Sequence, residues 1–265
     1  MKFKHLTIRK DNHVATVVFN RPDKLNALNL KLMREIIAMT ETFQDDALTR
    51  VIIFTGAGKC FCAGLDLADP EFMQRIQNEG TLSKKRLINL GPRMIKALYN
   101  MDQITIAAIN GAATGGGACI AAACDFRIGA EDCRIGFPEV GLGMNLSWVA
   151  LPMCVRLIGP ARAKRMVILA RNETAEILLK WGFLDEVVPA DSLMRHAIKM
   201  AEAYAAQPPI AAQMVKQSVN AIASALDQAV MHMDSDQLLL TANSEDFMEG
   251  ITAFLQKRKP EFKGR

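Results

Sequence analysis

The stretch ITIAAINGAATGGGACIAAACD, Ile104–Asp125, decides the fold. It opens on an apolar run, Ile104–Ile109, with the composition of a strand buried on both faces. Asn110-Gly111 turns the chain, and Gly115-Gly116-Gly117 leads into small apolar residues that predict a helix from about Gly116 to Ala123. A strand passing through a glycine-rich junction into a helix is a unit of parallel α/β architecture with right-handed crossovers. Glycine lets backbone approach a ligand, because no Cβ excludes it. A helix that begins there also offers unpaired N–H groups at the positive end of its dipole.

Upstream, VIIFTGAGKCFCAGLDL (Val51–Leu67) repeats the pattern, with the strand Val51–Thr55 entering Gly56-Ala57-Gly58. Two amides converging from such junctions would form an oxyanion hole for acyl chemistry. Tight turns between strands and helices are the plainer reading of the same glycines. Gly-Lys-Ser/Thr is absent, as is GxGxxG after the first strand, which argues against a phosphate loop and a nicotinamide dehydrogenase.

Further out, residues 5–10 and 13–20 read as two strands joined by Asp11-Asn12, and Asn29 caps a helix running to about Phe43. Residues 70–101 read as helical, with interruptions near Gly80 and Gly91-Pro92. Short strands follow near Phe126–Ile128 and Arg134–Ile135. From Ser147 onward the chain reads as mostly helical, with Thr174 capping one helix and Asp191 or Ser192 the next. A composition shift near residue 205 divides a core, 1–205, from a helical appendage, 206–265.

The 265 residues, half of them apolar and 23% charged, suit one large domain with an appendage. Apolar runs fall short of the roughly 20 residues of a membrane helix. The N-terminus lacks a secretory pattern, so the expectation is a cytoplasmic protein without membrane association. A net charge of +4, with no arginine-rich or aromatic-interleaved stretch, argues against nucleic acid. Six cysteines lack the spacing and nearby His of a zinc set, so we expect no metal and reduced, mostly buried thiols.

Five ordered motifs together are more specific: NRPDKLNAL (Asn20–Leu28), FCAGLDL (Phe61–Leu67), AAINGAATGGG (Ala107–Gly117), CDFRIGAED (Cys124–Asp132) and FPEVGLG (Phe137–Gly143). Their order and spacing, with the ending Glu245–Arg265, resemble the crotonase (enoyl-CoA hydratase/isomerase) family over essentially the whole chain. The resemblance implies an α/β crotonase-like spiral of ββα units, with residues 206–265 as a C-terminal helical trimerisation region. A homotrimer or dimer of trimers is expected. It also implies an acyl-CoA thioester as substrate, with coenzyme A part of that substrate and no separate cofactor.

Carried over by position, the oxyanion amides would be those of Ala63 and Gly116. Leu65, Asp66 and Leu67 would line the thioester and pantetheine. Lys24, Leu25, Ala27 and Leu28 would lie near the nucleotide, with Lys24 meeting a phosphate or remaining a solvated lysine. Asp66 resembles a residue that fixes the adenine pocket or its loop.

The chain departs from the hydratase pattern at two places. Family hydratases hold water with two glutamates; here the first position is Cys119, while the second is retained as Glu139. Cys119 reads as a small pocket-shaping residue, with a thiolate role as the alternative. The glycine-rich segment that follows in hydratases is replaced by Met144, Asn145, Leu146, Ser147, Trp148 and Val149. Met144 and Trp148 would dry the pocket, and Asn145 and Ser147 would meet a polar substrate group.

One carboxylate suffices to move a double bond, so the leading expectation is 3,2-enoyl-CoA isomerisation with Glu139 as proton shuttle. A hydratase or other crotonase-type lyase or hydrolase is the alternative, with Asp69 and Glu71 as candidate second acids. A non-catalytic acyl-CoA-binding or RNA-binding relative is more remote.

Overall fold

The computed structural model describes residues 3–265. Strands β1 (Leu6–Asp11) and β2 (Val14–Phe19) form an antiparallel hairpin, with Leu6 opposite Phe19 and Asn12 at a φ of 49° in the turn. Helix α1 (Leu30–Gln44) follows, and the Asn29 side chain accepts the Leu32 N–H at 2.8 Å. Its buried face runs Leu32, Met33, Ile36, Met39 and Phe43, the spacing of an amphipathic helix.

Strand β3 (Val51–Gly56) is buried throughout and leads into the short β4 (Cys60–Cys62). Helices α2 (Pro70–Asn78), α3 (Thr81–Ile88) and α4 (Leu90–Tyr99) precede β5 (Ile104–Ile109), β6 (Ala112–Thr114) and α5 (Gly116–Ala123). Strands β7 (Phe126–Ala130) and β8 (Arg134–Gly136) come next. Each of the pairs β3/β4, β5/β6 and β7/β8 sends one strand to each of two sheets, so the chain advances as a spiral of ββα units. The larger sheet has the order β1-β2-β3-β5-β7-β10 and is parallel beyond the hairpin; the smaller has the order β4-β6-β8-β9. Edge-on packing of Phe61 on Phe19, with ring centroids 5.4 Å apart, joins the two sheets.

Helices α6 (Ala150–Ile158) and α7 (Pro160–Ile168), strand β9 (Asn172–Thr174), helix α8 (Ala175–Trp181), strand β10 (Glu186–Val188) and helix α9 (Leu193–Ala205) complete the sheet and its cover. After them come α10 (Pro209–Ala223), α11 (Gln228–Met231), α12 (Asp234–Ala242) and α13 (Glu245–Leu255). Buried Lys216 of α10 bonds Asp125 and the Gln103 carbonyl, each at 2.7 Å, fastening the appendage to the core. Helix α13 packs against the single turn at Glu139–Leu142, and α12 packs against α3.

Three expectations need correction. The break near Gly80 is present, but the second falls at Asn89, and Gly91-Pro92 lies inside the first turn of α4. Proline is tolerated there because first-turn N–H groups lack intrahelical acceptors anyway. Ser192 precedes α9 without capping it, since its hydroxyl donates to the Pro189 carbonyl instead. The stretch after Ser147 also holds β9 and β10, three-residue strands too short to carry a period in the sequence.

Candidate active site

The loop before α1 is built against the first glycine junction. Leu25 and Asn26 both adopt left-handed backbone, with φ values of 50° and 56°. Asn26 is fully buried. Its Oδ1 accepts the Arg21 N–H at 2.9 Å, and its Nδ2 donates to the carbonyls of Ala57 and Cys60 at 2.9 and 2.7 Å. This tethering residue lies within the NRPDKLNAL motif, and its partners at Ala57 and Cys60 are distant in the sequence.

With the loop so held, the Ala63 N–H donates to the Leu25 carbonyl at 3.0 Å. The amide expected to face a thioester is therefore already engaged, and Ala63 is displaced as an oxyanion donor. The Leu28 N–H donates to the Gly64 carbonyl at 2.7 Å, and the Asp66 N–H to the Leu28 carbonyl at 3.1 Å. Between these two bonds, the Leu65 N–H points to the opposite side of the extended chain and has no acceptor among the described residues. Gly64 has a φ of 88°, and a Cβ there would stand 2.6 Å from the Thr114 carbonyl oxygen and 3.3 Å from the Gly116 nitrogen. Only glycine lets the first junction lie this close to the second.

At the second junction the Gly115 N–H is taken by the Gly136 carbonyl at 2.9 Å, and α5 begins at Gly116. The Gly116 N–H lies in the first turn, where no intrahelical acceptor exists. Two amides without acceptors, Leu65 and Gly116, thus come from adjoining junctions.

Glu139 follows Phe137-Pro138 and starts the turn Glu139–Leu142. Its Oε1 would lie 3.1 Å from a Cβ on Gly115, one residue before the helix start. Its Oε2 is shielded from solvent and has no hydrogen-bond partner among the described residues. Loss of hydration raises the carboxyl pKa to about 7, opposed only by the residue's own N–H. The residue as a whole is half-buried, but its Oε2 is out of water.

Cys119 is buried on α5, and burial pushes its thiol well above the usual range, with the Glu139 charge acting in the same direction. It stays protonated, which removes the thiolate alternative. The indole of Trp148 fills the space over Gly116: a Cβ there would stand 2.4 Å from the ring, and one on Gly91 of α4 only 2.1 Å. Ser147 is buried beside it, Met144 is half-buried, and the Met144 N–H donates to the Glu139 carbonyl at 3.0 Å. Asn145 is drawn away to α12, where it bonds Gln237 at 3.3 Å.

Toward the expected nucleotide end, Lys24 and Leu25 are exposed while Ala27 and Leu28 are buried. Leu65, Asp66 and Leu67 are half-buried. Asp66 pairs with Arg21 at 2.9 Å, which ties the two loops together. Neither candidate second acid reaches the site. Asp69 is occupied by the N–H groups of Leu30 and Glu71, at 2.9 and 3.2 Å, and exposed Glu71 pairs with Arg34 at 2.8 Å. The six cysteines are all buried and unpaired. Among the described residues no helix is long and apolar enough to cross a membrane.

A spiral of ββα units thus brings two acceptor-free amides at adjoining glycine junctions close to one buried carboxyl. The Enoyl-CoA hydratase/isomerase family model matches residues 9–265. The chain is 33% identical over 267 residues to the short-chain-enoyl-CoA hydratase of Clostridium acetobutylicum, covering all of both chains. It is also 33% identical over 264 residues to the crotonyl-CoA hydratase of Syntrophomonas wolfei, covering 99% of each. A crystal structure of an enoyl-CoA hydratase from Mycobacterium avium subspecies paratuberculosis superposes with a TM-score of 0.87 at 26% identity, covering 99% of this chain and 100% of that one. The chain belongs to the enoyl-CoA hydratase/isomerase family.

Proposed function

We propose that this enzyme shifts the double bond of a 3-enoyl-CoA to the 2-position, with Glu139 as its single proton shuttle. The observation that carries this reading is the Glu139 carboxyl, buried beside Gly115 with an unpartnered Oε2 and a pKa near 7. A group so poised takes a proton at neutral pH and gives it back. In the reaction, the thioester carbonyl accepts hydrogen bonds from the N–H groups of Leu65 and Gly116. Glu139 removes a proton from C2, the electron pair moves into a dienolate held by the two amides, and the same carboxyl returns the proton at C4. No atom is gained or lost. The thiol at Cys119 supports this reading, because it gives water no second base. So does the indole of Trp148, which fills the space on the Cβ side of Gly116.

A second reading, hydration of a 2-enoyl-CoA, is favoured by the names of the two relatives, both hydratases. Incubation with paired 3-enoyl and 2-enoyl thioesters, read by mass, separates them. Isomerisation without gain of water supports the shuttle; rapid gain of water on the 2-enoyl thioester overturns it.

The same reading carries a homotrimer or dimer of trimers. Helix α10 leaves Ile210, Met214, Val215, Val219 and Ile222 exposed, an apolar face that a second copy of this chain would cover. Molar mass from light scattering tests this, and a monomer would contradict it.

A further inference from the structure

Trp148 and Val149, which lead into α6, are two consecutive bulky residues in left-handed backbone, with φ values of 61° and 67°. For a β-branched residue such as Val149 this conformation is strongly disfavoured and persists only where the surroundings impose it. Those surroundings include the first residue of α12. The Val149 N–H donates to Asp234 Oδ2 at 3.2 Å, and the Trp148 N–H is also directed at this carboxylate. Asp234 is itself half-buried, and Lys96 is a cation that acts on it.

The backbone held in this way aims the indole between Gly91 of α4 and Gly116 of α5, where either Cβ would collide with it. An acyl chain leaving a thioester held at the Gly116 amide runs against that ring. From this geometry we infer that Asp234, in the C-terminal helical region, is a positioning residue: it clamps the Trp148-Val149 backbone so that the indole forms a fixed wall limiting the acyl chain length. The inference rests on the thioester reading of Gly116, although its first test does not.

The experiment uses the full chain carrying Trp181→Phe, which leaves Trp148 as the sole tryptophan. Asp234→Ala is expected to shift Trp148 emission to the red and increase its quenching by acrylamide. Asp234→Asn keeps an acceptor oxygen for the Val149 N–H and is expected to preserve both signals. The ratio of kcat/KM for a medium-chain over a short-chain enoyl thioester should rise about tenfold in Asp234→Ala. Trp148→Ala should reproduce that rise, and the double variant should add little to it.

Unchanged emission and unchanged chain-length preference in a folded Asp234→Ala protein would overturn the clamp. So would an equal loss on all chain lengths with no rescue by Asn. If emission shifts but no thioester is turned over even by the native protein, the clamp stands and the thioester reading fails.

Discussion

The first turn of α5 and the turn at Glu139–Leu142 each bring one titratable side chain into the same dry interior, Cys119 from the helix and Glu139 from the turn. Both lose their hydration and both pKa values rise. For the thiol, whose ordinary value is already above neutrality, the rise removes the anion and leaves an inert small side chain. For the carboxyl, whose ordinary value lies well below neutrality, a rise to about 7 creates a group that both accepts and donates a proton. One physical cause silences one residue and equips the other. Identity at the two positions, rather than burial, decides how many bases the site has.

Removing Glu139's ability to ionise should give the largest effect. Glu139→Gln is expected to lower kcat by about 10²–10⁴-fold while leaving the thioester Kd nearly unchanged, because amides rather than charge hold the carbonyl. Calorimetric titration with a non-reacting thioester, alongside single-turnover kinetics, checks both halves.

The two residues also share the amides beside them. Replacing the Leu65 amide by an ester through semisynthesis should cost about 10²–10³-fold in kcat. The same change at Ala63 should cost only about 1 kcal/mol of stability, the loss of its bond to Leu25. Equal kinetic losses at the two positions would return Ala63 to the site.

pH separates the two side chains next. In the proposed reaction the first step needs the Glu139 carboxylate, so kcat/KM should fall about tenfold per unit below its pKa of about 7 and level off above it. No further rise is expected from the thiol. Stability runs the other way. The folded state holds the Glu139 proton more tightly than the unfolded chain, whose value is 4.5, so stability is full below about 4.5 and is lost as pH rises toward 7. Glu139→Gln should therefore be more stable than the native protein by about 1–3 kcal/mol near pH 8 and little different near pH 4, measured by urea unfolding.

Cys119→Ala should be the quietest change, with turnover within about twofold and about 1 kcal/mol lost to packing. A variant as inactive as Glu139→Gln would make the thiol a catalytic group.

The sequence carried a parallel α/β architecture because its signals are local, in the apolar runs at Val51–Thr55 and Ile104–Ile109, the glycines at the junctions and Asn29 at the start of α1, whereas the spiral of ββα units came with the family resemblance. Its five ordered motifs carried the family, and Phe137-Pro138 marked Glu139. What it did not carry depends on contacts distant along the chain. The Ala63 amide is removed by Leu25, whose left-handed backbone is set by Asn26 reaching to Ala57 and Cys60. Asp69 and Glu71 look available in sequence and are engaged by Leu30 and Arg34. Asp234 has no local signature at all, since its meaning comes from Val149, far away in the chain.

The most direct test of the single-carboxylate account follows the proton itself. A 3-enoyl-CoA deuterated at C2 is converted in ordinary water and the product is examined by NMR and mass spectrometry. On the proposed shuttle, in which Glu139 takes the deuteron and returns it, part of the label should appear at C4 of the 2-enoyl product, and this transfer should vanish in Glu139→Gln. A 3-enoyl thioester left unconverted, with a hydroxyl gained at C3 when the 2-enoyl thioester is supplied instead, would contradict the account and make the enzyme a hydratase.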